Sequence, residues 1–361
     1  MKRRQFLRSA GSAGVLTAGA TIGQSALAAA PVVKWRLASS FPKSLDTIWG
    51  VAPLLAKRVF ELTEGRFEIK TFAAGEIVPG LQVADAVQNK TVEVGHTASY
   101  YYVGKDSTFA FETVLPFGLS ARQQNAWLYS GGGLELIRDF LKGYNIISFP
   151  GGNTGTQMGG WWRKEVNSLA DLKGLKVRMP GFGGKIMAAL GAVPQTIAAA
   201  DIYPSLEKGT IDAAEWVGPY DDEKLGFHKV AKYYYYPGFW EPGPNLSFYV
   251  NLDAWNALPK LYQSAFEVAA VEANMAMTTA YDAKNPAAMA RLLKAGAQLR
   301  LFPRELLDAA YVEAEKLYAQ ESKSNPKFRK IFESWNRFRN DEQNWFRIAE
   351  TPLAGYIPRT K

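Results

Sequence analysis

Alternating strand and helix patterns at the start of the chain restrict its fold more than any other feature. The segment VVKWRLASSFP (residues 32–42) is typical of a strand that ends in a loop, and GRFEIKTF (residues 65–72) alternates at period two. Between them, residues 47–63 place apolar side chains at the spacing of one helical face. A strand, a helix and a second strand in this order form a β-α-β unit, so we predict an α/β fold.

A second cycle of short strands and helices begins at Asn153 and indicates a second domain. The stretch YYYYPGFWEPGPNLSFYVN (residues 233–251) is rich in Pro and Gly before it returns to an alternating strand. We interpret it as a crossover back to the first domain, so that hinges near residues 151–153 and 237–247 join two lobes. The predicted ranges are residues 29–151 plus 245–320 for lobe 1, 152–244 for lobe 2 and 321–361 for a C-terminal helical tail.

The first 28 residues resemble an export signal. Arg3-Arg4 stands shortly before apolar residues, as in a twin-arginine signal, and an Ala/Gly-rich stretch leads to the small-x-small site that ends at Ala28. A transmembrane anchor is the alternative, but this stretch is too rich in glycine and too weakly hydrophobic to hold a bilayer. Cleavage after Ala28 removes four basic residues, so the formal charge falls from +8 to +4, and we expect the protein in the periplasm. The remaining charges are interspersed, which argues against a nucleic-acid surface.

Several reactive groups are missing from the chain. It contains no cysteine and two histidines, His96 and His228, which nearly excludes a zinc site. No G-x-S-x-G segment accompanies either histidine, and GFGGK (residues 181–185) lacks the spacing of a phosphate loop. We therefore predict a binding protein and not an enzyme.

Arg178 offers binding chemistry instead. It stands at the carboxyl end of the apolar strand in DLKGLKVRMPG, where the ligand crevices of open α/β folds lie. Its guanidinium can hold a planar carboxylate through two parallel N–H groups, which a lysine cannot match. On this placement alone, a surface ion pair is an equally good interpretation.

Several separated motifs occur in an order that is specific to one protein family. The segments SLADLKGLKVRMPG and LEKGTIDAAEW follow WRLASSFP, FAAGEI, VEVGHTASYYY and LPFGL. Together they resemble the solute-binding proteins of tripartite ATP-independent periplasmic (TRAP) transporters, across essentially the whole mature chain. The resemblance implies a two-lobed periplasmic binding protein fold with a long C-terminal helix, in which Arg178 pairs with a substrate carboxylate. The continuation DAAEWVGPYDD departs from the commonest form of the motif and resembles the subgroup that binds 2-oxo acids such as pyruvate beside a cation.

The same resemblance assigns cation contacts to Gln157, Glu215 and the Trp216 carbonyl, with a substrate carboxylate oxygen completing the shell. These are hard oxygen donors, suited to Na⁺, Ca²⁺ or Mg²⁺. Arg178 and a monocarboxylate cancel, so Glu215 and Na⁺ bring the buried site to zero charge, whereas Ca²⁺ leaves one positive charge uncompensated. We therefore expect Na⁺, with Ca²⁺ as the alternative if an ionised Glu241 also faces the site.

Further residues are expected to complete the substrate pocket. Trp216 is predicted to wall it in one lobe and Tyr101, from SYYYVG, in the other, because aromatic walls exclude water and strengthen a carboxylate pair. Ordinary packing is the alternative for both aromatic side chains. Glu241, from FWEPGP, is a further candidate for substrate contact.

The tail NPKFRKIFESWNRFRNDEQNWFRIAE (residues 325–350) carries an aromatic stripe among many charges. Such a helix must cover either the core of its own domain or a partner subunit. Members of the resembled subgroup can pair through an exchanged C-terminal helix, so the resemblance favours a homodimer. By the same resemblance, the closed form delivers its ligand to membrane subunits of the transporter.

Other functions also stay open on the sequence. One is an exported enzyme that acts on a small carboxylic acid, with Glu215 or Glu241 as its general base. Another is a binding protein that feeds a sensor instead of a transporter. A third keeps transport and changes the ligand to lactate, a branched 2-oxo acid or an aromatic acid.

Overall fold

The computed structural model describes residues 30–356, and the predicted signal segment, residues 1–28, lies outside them. The strands are β1 (Val33–Ser39), β2 (Phe67–Phe72), β3 (Val94–Thr97), β4 (Ile146–Asn153), β5 (Trp161–Trp162), β6 (Lys176–Arg178), β7 (Val193–Gln195), β8 (Ala213–Ala214), β9 (Tyr233–Tyr236), β10 (Asn245–Asn251) and β11 (Gln298–Leu301). The helices are α1 (Val51–Leu62), α2 (Val83–Gln88), α3 (Ala110–Thr113), α4 (Ala121–Ser130), α5 (Gly133–Leu141), α6 (Gly181–Ala189), α7 (Ala199–Glu207), α8 (Pro219–Leu225), α9 (Leu252–Asn256), α10 (Lys260–Lys294), α11 (Arg304–Ser324), α12 (Pro326–Ala349) and α13 (Thr351–Tyr356). Short 3-10 turns lie at Gly80–Gln82, Ser99–Tyr102, Ser107–Phe109, Lys142–Tyr144, Leu169–Leu172 and Phe227–Lys229.

The first sheet begins with the predicted β-α-β unit. β1 pairs in parallel with β2 and with β3. β10 then returns antiparallel between β3 and β4, which gives the strand order β2-β1-β3-β10-β4. Every residue of β10 is buried, as expected for an apolar strand with a neighbour along each edge.

The second sheet has the order β11-β9-β5-β8-β6-β7. β6, β7 and β8 are parallel, and β5 runs antiparallel between β8 and β9. β11 pairs in parallel with β9, although residues 298–301 fall within the range predicted for lobe 1. The chain therefore crosses to the second sheet a further time after α10, which the sequence patterns do not reveal.

α10 is the longest of the described helices, with 35 residues, and it spans both sheets. It packs on α1 and β4 on the side of the first sheet, and on α8 on the side of the second. Its buried face carries large side chains at helical spacing, including Tyr262, Phe266, Met277 and Tyr281. The α/β architecture with two sheets and a long C-terminal helix confirms the predicted fold class.

The aromatic tail divides into a buried and an exposed part. α12 begins at Pro326, where the Asn325 side chain accepts the first free backbone N–H groups. In its first half, Phe328 and Trp335 are buried against Phe111. In its second half and in α13, large apolar side chains are mainly exposed: Trp345, Ile348, Leu353 and Tyr356. The first half thus covers the core of its own chain, and the second half leaves an apolar surface. Within residues 30–356, none of the helices has both the length and the apolar character needed to cross a membrane.

Candidate functional site

Arg178 is the last residue of β6, a strand that lies between β7 and β8. Its side chain is fully buried. Nε donates to the Ile197 carbonyl at 3.1 Å and Nη1 to the Glu215 carbonyl at 3.0 Å, while Nη2 finds no hydrogen-bond partner among residues 30–356. A buried guanidinium with a spare donor is equipped to receive an oxygen of a bound anion.

Glu215 directly follows β8, and the parallel register of β6 with β8 places it beside Arg178. Its Oε1 accepts a hydrogen bond from Nη1 of Arg178 in a buried ion pair. Its Oε2 has no hydrogen-bond partner in the described part of the chain. Burial raises the pKa of Glu215 to about 7, and the guanidinium opposes that rise. For Arg178, burial is the largest single influence and disfavours the charged form, but the Glu215 carboxylate, together with Tyr101, Tyr100 and Glu241, outweighs it and raises the pKa.

Trp216 covers this ion pair. The guanidinium carbon of Arg178 lies 5.0 Å from the centroid of the indole ring, within the range of a cation–π contact. The ring of Phe41, from the loop after β1, meets the indole edge-on at a centroid distance of 6.3 Å. On its other side, Nε1 of the indole faces Oδ2 of Asp221 at 3.4 Å. Trp216 therefore forms one wall of the site and shields the ion pair from water.

The segment that follows the first predicted hinge meets the second predicted hinge segment at the site. The backbone N–H of Gln157 donates to the Glu241 carbonyl at 3.0 Å. This close approach requires glycine at position 238, because a Cβ on Gly238 would lie 2.6 Å from the carbonyl oxygens of Gln157 and Met158. Nε2 of Gln157 donates to Oγ1 of Thr154 at 3.1 Å, which leaves the buried Oε1 without a partner among the described residues.

Glu241 adds a second buried carboxyl group, 3% exposed. Its Oε2 has no hydrogen-bond partner within residues 30–356. Burial raises the pKa of Glu241 well above its usual value, and the nearby Glu215 raises it further, whereas Arg178 and the Tyr100 hydroxyl oppose the rise. Burial therefore favours the neutral form of Glu241, which can donate a hydrogen bond as well as accept one.

Tyr100 and Tyr101 reach the site from the 3-10 turn after β3. Their rings meet edge-on, with centroids 5.0 Å apart. Burial raises the pKa of Tyr101 to about 12, against the effect of the neighbouring Arg178. Tyr100, whose hydroxyl lies against Glu241, does not follow from the sequence, because the run SYYYVG offers three tyrosines and no means of choosing between them.

A small cavity lies next to these groups and is lined by four of them. Its volume is about 10 Å³, enough for about one water molecule. Gln157 and Trp216 line it from one side, and Tyr100 and Tyr101 from the other. The same two tyrosines also line an outer pocket of about 380 Å³, so they separate the inner cavity from the outer one. Any organic ligand can enter the inner cavity only if these side chains or the lobes move apart.

The oxygen donors around the cavity fit a hard cation. Within residues 30–356, no cluster of three His, Cys, Asp or Glu side chains could hold a metal ion. A cation here must therefore use mixed donors, namely one carboxylate oxygen of Glu215, the Gln157 amide oxygen and the Trp216 carbonyl. The first two lack other partners in the described structure. All three are oxygen ligands, which suit Na⁺ or Ca²⁺ and not a softer metal.

The structure brings the sequence-derived candidates into one place. These are Gln157, Arg178, Glu215, Trp216, Tyr101 and Glu241. Sequence reasoning also missed two buried acids, Asp221 and Asp222, that contact the segment around Trp216. The two consecutive acids are visible in VGPYDD, shortly after the end of β8, but nothing in that segment shows that they are buried.

A family model and several known proteins are similar to this chain. A family model described as bacterial extracellular solute-binding protein, family 7 (DctP), matches residues 38–324. A relative from Nostoc sp. (strain PCC 7120) is named monocarboxylate 2-oxoacid-binding periplasmic protein. It is 51% identical over 360 residues, which cover 99% of each of the two proteins.

Two solved structures are similar over nearly all of their length. One is a TRAP transporter solute-binding protein from Bordetella bronchiseptica RB50, a mixed-occupancy dimer with copurified calcium and picolinate in an active site. It is 53% identical, with a TM-score of 0.89, and the match covers 90% of this chain and 97% of that one. The other is a TRAP periplasmic solute-binding protein from Pseudoalteromonas atlantica T6c with bound sodium and pyruvate. It is 38% identical, with a TM-score of 0.88, and the match covers 90% of this chain and 99% of that one.

Proposed function

This chain belongs to the DctP family of bacterial extracellular solute-binding proteins, and we propose that it captures a small 2-oxo monocarboxylate, such as pyruvate, together with a cation. The observation that carries the proposal is the meeting of Arg178 and Glu215 at one buried site, each with a polar atom that has no partner among the described residues. The family works in the periplasm. There, the loaded protein passes its ligand to the membrane subunits of a TRAP transporter.

Ligand capture would replace the buried ion pair of Arg178 and Glu215 by two ion pairs, one between Arg178 and the substrate carboxylate and one between Glu215 and the cation. In the described structure, Arg178 neutralises Glu215. An incoming carboxylate would take the donors of Arg178. Glu215, the Gln157 amide and the Trp216 carbonyl would hold the cation, which would supply the positive charge that balances Glu215. Each charge thus keeps a partner inside the protein, which a water-excluded site requires.

The charge on Glu241 favours Na⁺ over Ca²⁺. Burial favours the neutral form of this carboxyl group, and with Glu241 neutral the charges of Arg178, Glu215, a monocarboxylate and Na⁺ sum to zero. Ca²⁺ adds one more positive charge and needs a further negative group to balance it. The two relatives above contain calcium and sodium, so both ions belong in the binding test.

A hinge motion explains how a ligand reaches so small a cavity: it enters while the two lobes are open, and the lobes then close over it. We assign residues 29–151 and 245–320 to lobe 1 and residues 152–244 to lobe 2, with β11 contributing its strand to the second sheet. The hinges are residues 151–153 and 237–247, where Gln157 and Glu241 lie close by. Since the ligand contacts both lobes only when they are shut, its binding free energy increases the closed population.

Calorimetry with pyruvate tests the proposed function directly. We expect the wild-type protein to bind pyruvate when Na⁺ or Ca²⁺ is present, and Arg178→Ala to lose binding because no other donor can replace the guanidinium. Arg300→Ala is a matched control, since Arg300 lies in the same sheet and pairs with Glu165 away from the site. Binding by Arg178→Ala with undiminished affinity would refute the role of the guanidinium. Lactate and branched 2-oxo acids, titrated in the same way, separate the alternative ligands.

We infer that the protein returns its ligand unchanged. A solute-binding protein needs no turnover, and in the described structure Oε1 of Glu215 is engaged by Arg178. Incubation with pyruvate, followed by product analysis, checks this inference. Formation of any product would favour the exported enzyme instead.

A twin-arginine signal in residues 1–28 is the proposed route of export. Replacing Arg3 and Arg4 by lysines is expected to leave the full-length precursor in the cytoplasm, because the export machinery reads the arginine pair. Cell fractionation and the mass of the periplasmic form measure whether the precursor is exported and cleaved. Export of the variant at the wild-type level would point to another pathway.

We also propose a homodimer that uses the exposed end of the tail. Trp345 and Ile348 on α12 lie outside the core of the chain and are separated by one helical turn. A second copy of the chain can bury this apolar surface, which water otherwise contacts.

A further inference from the structure

Two neighbouring acids of α8 take no part in the capture scheme and yet are completely buried. Asp221 and Asp222 have exposures of 0% and 1%. The hydrogen bonds that they accept come from neutral groups, namely tyrosine hydroxyls, tryptophan indoles and a backbone N–H. Burying a carboxylate away from a cationic partner is costly. Such an arrangement therefore indicates a specific task for both residues.

Asp222 fixes the backbone that follows the cation-binding segment. Its Oδ2 accepts from Nε1 of Trp161 at 3.0 Å and from the Tyr234 hydroxyl at 2.7 Å, so β5 and β9 hold the carboxylate in place. Its Oδ1 faces the backbone N–H of Val217 at 3.4 Å. The peptide bond between Trp216 and Val217 contains both this N–H and the carbonyl that we assign to the cation. By holding the N–H of this peptide group, Asp222 therefore fixes the orientation of the Trp216 carbonyl.

Asp221 fixes the side chain of the same segment. Its Oδ2 accepts from the Tyr281 hydroxyl at 2.7 Å and faces Nε1 of Trp216 at 3.4 Å. Tyr281 belongs to α10 and is fully buried. The backbone N–H of Tyr220 also donates to Oδ1 of Asn285, one turn further along α10, at 3.0 Å. The turn that carries Trp216 is thereby attached to a helix that also packs on the first sheet.

We propose that Asp221 is a positioning residue that connects Trp216 to Tyr281 of α10, with Asp222 holding the adjacent peptide group. This inference rests on the proposed function. It adds that the Trp216 indole and carbonyl are placed by the long helix, and not by the second sheet alone. Loss of the connection lets the indole leave Arg178 and turns the carbonyl away from the cation, so affinities for the 2-oxo acid and for the cation fall together.

The test uses the full chain with ¹⁵N-labelled tryptophan. The indole N–H signal that disappears in Trp216→Phe identifies Trp216 without any ligand. We expect this signal to move in Tyr281→Phe and in Asp221→Leu, and to move less in Asp221→Asn, which keeps an acceptor. Tyr262→Phe is the matched control, because the Tyr262 hydroxyl leaves the same helix face and donates to the Pro31 carbonyl, away from the site.

Calorimetry with pyruvate and Na⁺ then measures the consequence. We expect Tyr281→Phe and Asp221→Leu to bind about tenfold more weakly, the effect of one lost hydrogen bond to a buried charged group, with partial rescue by Asp221→Asn. Tyr262→Phe keeps the wild-type affinity. If Asp221→Leu does not fold, Tyr281→Phe alone decides the question, since it removes a single oxygen atom.

The outcomes separate the two proposals. If the Trp216 indole signal does not move in Tyr281→Phe, the proposed connection from Asp221 to Tyr281 is wrong. It is also wrong if the signal moves while the affinity for pyruvate stays unchanged. A wild-type protein that binds no 2-oxo acid overturns the proposed function, while the ligand-free indole signal still decides whether Asp221 holds Trp216.

Discussion

At the residue scale, the Glu215 carboxylate has a proposed partner in both states of the site: Arg178 without ligand and the cation with ligand. Oε1 is engaged by Arg178, while Oε2 has no partner in the described structure. Glu215 is buried and directly precedes Trp216, which lines the cavity, so a cation held at the Trp216 carbonyl would interact with this carboxylate in a medium where charge interactions are strong. The role of the cation therefore depends on the negative charge of this side chain, and not on its size.

Glu215→Gln separates charge from shape. We expect the variant to bind pyruvate about tenfold more weakly at saturating Na⁺, and to lose the dependence of affinity on Na⁺ concentration, because a neutral amide holds a cation poorly. Calorimetry across a Na⁺ series, with choline replacing sodium, measures both quantities. Glu223→Gln is the control, since Glu223 pairs with Arg291 at the surface. A Glu215→Gln protein with the wild-type Na⁺ dependence would remove the cation from this position.

His96 makes the stability of the protein depend on pH. It lies in β3 between the rings of Phe41 and Phe248, and its Nδ1 is 3.2 Å from Oγ of Ser39. Burial lowers the pKa of His96 to about 3, whereas an unfolded histidine titrates near about 6.5. Between these values the unfolded chain binds a proton that the folded chain does not. The stabilising contribution is therefore complete above about pH 6.5 and is lost as the pH falls toward 3.

We accordingly expect the free energy of unfolding to fall by about 1 kcal/mol per pH unit between about pH 6 and 5 through this residue. Urea denaturation at several pH values measures the slope, and His96→Gln is expected to reduce it whatever its effect on absolute stability. His228→Gln is the control, because His228 is only half-buried and its pKa is lowered less. Equal slopes in wild type and His96→Gln would show that the buried histidine is not the titrating group.

At the scale of secondary structure, the sequence predicts strands and helices best where a pattern extends over many residues. β1, α1 and β2 lie where alternation and helical spacing place them. The segment TGTQMGGWW (residues 154–162) lies at the start of the predicted second cycle of short strands. It contributes only Trp161 and Trp162, because Gly160 has a positive φ of 75° that breaks the extended conformation. β11 was not predicted, since four residues after a long helix contain too little pattern to reveal a partner strand.

The sequence predicts those site residues that lie at the ends of strands. Arg178 and Glu215 close parallel neighbouring strands, so their meeting follows from the fold. Their direct ion pair does not follow, because the resemblance predicts a carboxylate and a cation between them. Tyr100 and Asp221 were missed for a similar reason. Their contacts depend on how the loop after β3 and helix α10 pack, which no local pattern records.

The last turns of the tail are an element with an exposed apolar face. Trp345 is 57% exposed and Ile348 is 74% exposed. We expect Trp345→Ser combined with Ile348→Ser to convert a wild-type dimer into monomers, since the exposed side chains can be buried only by a second chain. Light scattering after size exclusion measures the mass. The melting temperature is expected to stay near that of wild type, because these residues contribute little to the core of one chain.

Val268→Ser is the control for that experiment. Val268 is 57% exposed on α10 and lies outside the tail, so its replacement is expected to leave the mass unchanged. A dimer of wild-type mass in the tail variant, or a monomeric wild-type protein, would exclude this part of α12 as the dimer surface.

At the scale of the whole molecule, the two lobes are also joined by charges at the surface. Asp46, in the loop between β1 and α1, pairs with Lys224 of α8 and Lys284 of α10. The hydroxyl of Tyr220, also on α8, donates to Oδ2 of Asp46 at 2.9 Å, and the two ammonium groups lie 4.5 and 4.6 Å from the centroid of its ring. One carboxylate of lobe 1 therefore holds two groups of lobe 2, Lys224 and Tyr220, with Lys284 of the long helix beside them. Opening the lobes must separate them.

We therefore expect Asp46→Asn to accelerate the release of bound pyruvate by about twofold to fivefold, as for the loss of a solvent-exposed charge network. Stopped-flow dissociation measures the rate. Added salt should accelerate release from the wild-type protein and have little further effect on the variant, because screening acts on the charges that the substitution removes. Asp85→Asn is the matched control, since Asp85 pairs with Lys105 on the same side of the cleft. If Asp46→Asn releases pyruvate at the wild-type rate, or keeps the wild-type response to salt, these charges do not hold the lobes together.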